Sequence, residues 1–210
     1  MKRHFQRHFL GSLALLSVLM GCAGSSSTPP PTTPDYLSEL NLSLRWSSSK
    51  TANPLKVFIG LDGTTDRSTE LMAAANAWSI GTSNLVRFTQ TTDASEADIT
   101  VAFSETVNSA DGGVGITKVR FFDSPSNPTT DGIIQKSDIT IRQGVSSALL
   151  LPVAEHQFGH SLGIVGRNLG DNGHSAFEGD VMHEVIKTSS ALSSRDSATL
   201  IQLYARTRAH

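Results

Sequence analysis

Four of the seven histidines, His156, His160, His174 and His183, fall within one 28-residue stretch. His156 and His160 are four apart, so on a helix both imidazoles leave one face and can reach a single divalent cation, for zinc at about 2.0–2.1 Å. Gly159 between them would let that helix approach a neighbour closely, and Gly163 offers the positive-φ residue that stops a helix and turns the chain back. A third ligand can then arrive from beyond the turn. The single cysteine, Cys22, excludes both an intramolecular disulfide and a metal site made of several thiolates.

The elements that must position this pair follow from local periodicity. Strands are predicted over Lys56–Gly60, Val86–Gln90, Asp98–Phe103, Gly115–Phe121 and Ser137–Arg142. A helix is predicted over Thr65–Ile80, with Leu71, Ala75 and Trp78 on one stripe and Thr65 or Asp66 as its cap. The Pro/Asn/Asp/Gly-rich stretch Asp123–Gly132 reads as loop. A second helix runs to about Leu162, irregular structure to about Ala191, and a last helix starts at Ser193 with Leu200, Leu203 and Tyr204 on its apolar face. Ser193 and Asp196 have the spacing of a capping pair. The order of elements is that of an α+β domain.

The run His156-Gln157-Phe158-Gly159-His160-Ser161-Leu162-Gly163-Ile164 resembles the active-site helix of the metzincin metallopeptidases, H-E-x-x-H-x-x-G-x-x-H, and is most similar to bacterial relatives of the matrixins. Gly173-His174-Ser175 followed by Asp180-Val181-Met182 resembles the segment carrying their third histidine and the Met-turn beneath the metal. Leu192–Asp196 with Thr199, Leu200, Leu203 and Tyr204 is similar to their closing helix. Arg45-Trp46, Ala77-Trp78, Ala97-Asp98-Ile99 and Asp138-Ile139 fall upstream in the family's order. The resemblance implies a twisted mixed sheet, an active-site helix, a Met-turn at Met182 and a C-terminal helix. It also implies zinc held by His156, His160 and His174, and endopeptidase activity on a peptide or protein substrate. The substrate would lie extended along an edge strand, for which we take Ser137–Arg142.

Two departures from the family pattern matter. Gln157 stands where the family has the glutamate that acts as general base; a carboxamide positions water but has no oxygen of suitable pKa, and losing such a base costs about 10²–10⁴ in rate. Glu155 cannot substitute, because two helical positions rotate it about 200° away; Glu178 and Glu184 on the returning loop are the remaining nearby carboxylates. The alternative function is therefore a catalytically impaired zinc-binding protein that holds peptides without turning them over. The second departure is that the strict third-ligand position holds Gly166, with His174 eight residues later. The polar stretch Arg167–Gly173 can loop out and return His174 to the metal, while Asp171 and His183 are the other candidates for third ligand. Calcium at Asp111-Gly112-Gly113 or Asp131-Gly132 is possible, but the ligand count is too low to support it, and plain turns explain both.

Composition sets the surroundings. The chain has 210 residues, 17 basic and 19 acidic side chains and a net charge of −2, which lacks the basic footprint of a nucleic-acid binder. Lys2, Arg3 and Arg7 precede an apolar run from Phe9 to Met20 that is short for a permanent membrane span, so residues 1–21 read as an export signal. The run ends in Leu19-Met20-Gly21-Cys22, which resembles the bacterial lipobox and implies lipidation of Cys22. Residues 22–35 hold four of the eight prolines and no large apolar side chain, a tether reaching about 40 Å at most. Residues 36–210 form one domain, expected as a monomer, lipid-anchored in the bacterial cell envelope. Ala23 after the cysteine favours the outer membrane or cell surface of a Gram-negative host.

Overall fold

The computed structural model describes residues 35–40, 43–107, 113–123, 131–165 and 173–205, within the unit Thr33–His210. The export signal, Cys22, the tether as far as Pro34, Asp111-Gly112 and Asp171 lie outside the described residues. After a 3-10 turn at Leu37–Glu39, the elements are β1 (Ser43–Arg45), α1 (Ser48–Thr51), β2 (Leu55–Ile59), α2 (Ser68–Gly81) and β3 (Phe88–Thr91). They continue with β4 (Ile99–Ser104), β5 (Gly115–Asp123), β6 (Asp131–Arg142), α3 (Ser147–Ser161) and α4 (Ser194–Ala205).

The strands form one mixed sheet in which β3, β2, β4 and β6 are neighbours in parallel. The long β6 uses its start to pair with β1, Ser43 opposite Asp131, and its end to pair with β4, Ile99 opposite Ser137. Its other side is taken along its length by β5, the one antiparallel partner. Ser137–Arg142 is therefore an internal segment, not the edge we expected; on this side of the sheet the edge belongs to β5, which pairs with β6 alone among the described strands, as β3 does with β2 on the other side. Internal strands have no free ladder groups to offer a peptide, and edge strands do.

Alternation decides which face is buried. In β4, Ile99 and Val101 are buried while Thr100 and Ala102 face away, and Val57, Ile139 and Ile141 continue the same apolar face. α2 covers it with the predicted stripe Leu71, Ala75 and Trp78, and α3 with Leu150, Val153 and Phe158, all fully buried. Burial of each of the Leu, Val and Phe side chains stabilises by roughly 1.5–3 kcal/mol.

Several boundaries moved for identifiable reasons. Thr65 is held in a two-bond bridge with Asp62 and cannot start α2; the helix begins at Ser68, with Asp66 Oδ1 accepting the Ser68 N–H at 2.8 Å. Asp131-Gly132, read as turn, lies in β6 between β1 and β5. A Cβ at Gly132 would sit 2.6 Å from both Leu44 and Phe121, so close packing explains that glycine. At α4 the expected pair caps reciprocally: Asp196 N–H donates to Ser193 Oγ at 3.0 Å and Ser193 N–H to Asp196 Oδ2 at 2.9 Å.

Candidate metal centre

α3 carries the histidine pair and is held from three sides. Pro152 removes one backbone donor near its start, where the partner carbonyl belongs to exposed Ala148. Trp78 Nε1 donates to the Glu155 carbonyl at 2.8 Å, and Trp46 Nε1 to the Ser161 carbonyl at 3.0 Å, one of the acceptors left open by the helix end. Tyr204 Oη donates to the Leu162 carbonyl at 3.0 Å. Gly163 then turns the chain with φ +110°, and a Cβ there would overlap the Leu44 carbonyl oxygen. Gly159 is constrained by side chains instead, since a Cβ would overlap Met182 Sδ and lie 2.7 Å from Trp78.

The structure brings His156, His160 and His174 together, with one ring nitrogen from each lying within 4.8 Å of the others. His156 Nδ1 lies 2.7 Å from the Val181 carbonyl oxygen, and His160 Nδ1 lies 2.6 Å from that of Ile164. A carbonyl oxygen only accepts, so both Nδ1 atoms carry the proton. Each Nε2 is then a bare lone pair, and the two face each other at 2.9 Å. Facing lone pairs repel unless a cation or proton is shared between them, and tetrahedral zinc would set such nitrogens about 3.3 Å apart. The donor set therefore fits a divalent metal ion of that preference. Burial, and then the neighbouring His174, holds the His160 pKa down to about 4. Burial, and then His160, holds His156 well below its usual value. Both rings are consequently neutral near pH 7, the state a metal requires.

Of the other sequence candidates, His183 stands outside the triad: its Nδ1 accepts the Val185 N–H at 3.1 Å. Met182 is fully buried beneath Gly159. Glu155 points the other way along α3, its Oε2 accepting the Leu192 N–H at 3.2 Å, and burial raises its pKa. Glu178 is paired with Lys187 at 2.8 Å, and Glu184 is exposed. Gln157 is 4 % exposed and turned against the edge strand, where the Thr117 hydroxyl donates to its Oε1 at 2.7 Å.

Residues that sequence reasoning missed hold the return segment. Ser175 N–H donates to the Met182 carbonyl at 2.9 Å, and Ser175 Oγ to Asp180 Oδ2 at 2.5 Å. Asp180 also accepts from Ser193 Oγ at 2.7 Å and Arg195 Nε at 3.0 Å. Asp196 accepts the N–H groups of Val181 at 2.9 Å and Met182 at 3.4 Å, together with the Tyr36 hydroxyl at 2.7 Å. Thr117 and Asp180 gave no local sign, because their partners come from other elements.

In comparisons with known proteins, the family model described as Matrixin matches residues 60–205. No curated protein sequence matches the chain.

Proposed function

Since the chain belongs to the matrixin family, whose members are zinc-dependent peptidases, we propose that it is a zinc endopeptidase domain with His156, His160 and His174 as the metal ligands. The observation that carries this reading is the pair of unprotonated Nε2 atoms converging at 2.9 Å, each fixed by a carbonyl on its Nδ1. Zinc, when bound, polarises a peptide carbonyl and makes water more acidic. The protein's own share is orientation. The side of β5 away from β6, which pairs with no other described strand, offers ladder groups to an extended peptide, and α3 packs against β5 through Thr117 and Gln157. Such a peptide would run past the triad. Gln157, at the position of the family's general base, can accept a hydrogen bond at Oε1 but cannot take the proton of an attacking water.

That deficit supports the second reading, a peptide-binding protein with little turnover, and Gln157 is the observation favouring it. Its burial and its bond to Thr117 show that the side chain is accommodated in the fold. Lys187 holds Glu178, and burial with the Leu192 N–H holds Glu155, so neither is presented as a replacement base. The anchoring part of the proposal rests on the lipobox-like Leu19–Cys22 and the proline-rich residues 22–35, which would place a monomeric domain on a bacterial envelope membrane, with Ala23 favouring the outer one. Zinc content and cleavage of an unstructured protein, compared for the native chain and Gln157→Glu, test the proposal. Zinc present with cleavage in either form supports the peptidase scaffold, zinc with cleavage in neither supports the binding reading, and absence of zinc defeats both.

A further inference from the structure

His156 and His160 inherit their positions from α3, but His174 sits on irregular backbone. Its nearest neighbour in sequence is anything but loose. Ser175 is 2 % exposed and engaged at three points: its N–H donates to Met182, its hydroxyl donates to Asp180, and its Oγ accepts the Phe177 N–H at 3.1 Å. Asp180, 1 % exposed, gathers the Ser175 hydroxyl, the Ser193 hydroxyl and the Arg195 guanidinium. A buried carboxylate is tolerated only when paired and hydrogen-bonded, and the ion pair with Arg195 satisfies that condition. One carboxylate therefore joins the His174 segment to the turn Asp180–His183 and to the start of α4. The same turn holds His156 through the Val181 carbonyl.

We propose that Ser175 and Asp180, with Arg195 as countercharge, are positioning residues that set the place of His174 relative to the other two imidazoles and so set how tightly the triad holds a divalent metal. This inference rests on the metal reading above. A ligand on a helix keeps its place through the helix, whereas one on a loop keeps it only through bonds next to it, and outer partners of metal ligands typically govern affinity by about 10–100-fold.

The test uses the full chain in detergent, zinc as the probe, and competition with a chromophoric chelator. Ser175→Ala should weaken zinc binding about 10–100-fold and Asp180→Asn by a comparable factor, whereas Ser175→Thr, which keeps the hydroxyl, should recover most of the affinity. Urea midpoints of the metal-free proteins separate positioning from general destabilisation: a purely structural role lowers the midpoint and leaves the folded protein's affinity unchanged. The decisive comparison is Ser175→Ala against Ser175→Thr at matched urea midpoints, because only the positioning role predicts that the hydroxyl restores zinc affinity in proteins of equal stability. Affinity within twofold of native in a folded Ser175→Ala protein, or no recovery in a folded Ser175→Thr protein, would overturn the inference alone. No zinc binding by the unmutated chain would overturn the metal reading and the inference together.

Discussion

The Thr117 hydroxyl on the edge strand β5 donates to the Gln157 carboxamide on α3 at 2.7 Å, so the residue at the general-base position is tied to the strand along which a peptide would lie. Gly115 leaves room at the same place, since a Cβ added there would lie only 3.0 Å from Gln157 Cγ. The side chain thus has a defined seat of its own.

From that seat follows the first prediction. Glutamate is nearly isosteric with glutamine, and Thr117 can donate to its carboxylate as it does to the amide. Gln157→Glu should raise cleavage of an unstructured protein by about 10²–10⁴ with zinc content unchanged. The gain should vanish on adding His160→Ala and shrink on adding Thr117→Val. Equal cleavage by native and Gln157→Glu chains would show that no base is missing.

Metal stoichiometry is the second. Elemental analysis should find one zinc per chain, lost on His156→Ala or His160→Ala, because a site reduced to two imidazoles is no longer closed. Intact metal content in either variant would place the ion elsewhere.

The buried imidazoles predict a pH dependence of the metal-free protein. His160 binds its proton only near pH 4 when folded but near 6.5 when unfolded, so the unfolded state holds more protons between those values. Stability is present above about pH 6.5 and is lost as pH falls toward 4, by roughly 3 kcal/mol from His160, with His156 acting in the same direction. Urea midpoints measured from pH 7.5 to 4 should fall accordingly, and at least as steeply with zinc present, because zinc needs the same imidazoles unprotonated. A flat profile would contradict the neutral, buried state of the pair.

Two glycines should respond differently to the same substitution. Gly159→Ala meets the flexible Met182 thioether and the edge of Trp78, and overpacking of this kind costs about 1–3 kcal/mol. Gly163→Ala meets the Leu44 backbone carbonyl at φ +110°, where neither partner yields, and should cost more. Met182→Ala should relieve the first in part, leaving its Trp78 contact, and leave the second untouched. Thermal unfolding of the metal-free variants reads the order.

Anchoring is tested separately. Cys22→Ser should move the protein from the membrane fraction or leave an unprocessed precursor, seen by fractionation and intact mass. Unchanged fractionation and mass would refute lipidation.

Much of this protein was legible in one dimension because the relevant periodicities are local. The four-residue spacing of His156 and His160, the helix stop at Gly163, the stripe Leu71, Ala75 and Trp78, and the Ser193–Asp196 cap each involve residues within about two helical turns, where backbone geometry alone fixes who meets whom. The family pattern was legible for the same reason, its residues being contiguous on one helix and the returning segment.

Tertiary structure decided what depends on distant pairing. That β5, not Ser137–Arg142, is the edge follows from β6 being flanked by β4 and β1 on one side and β5 on the other, a register written in backbone hydrogen bonds between segments up to 88 residues apart. It also extended β6 back to Asp131, through residues whose composition reads as turn. The proton positions of His156 and His160 came from the carbonyls of Val181 and Ile164, one of them 25 residues along the chain. The clamp on the His174 segment needed a carboxylate, two hydroxyls and a guanidinium from three places in the chain to meet around buried Asp180. Local sequence sets what a backbone can do by itself; which buried polar groups satisfy one another is known only once the chain has closed around them.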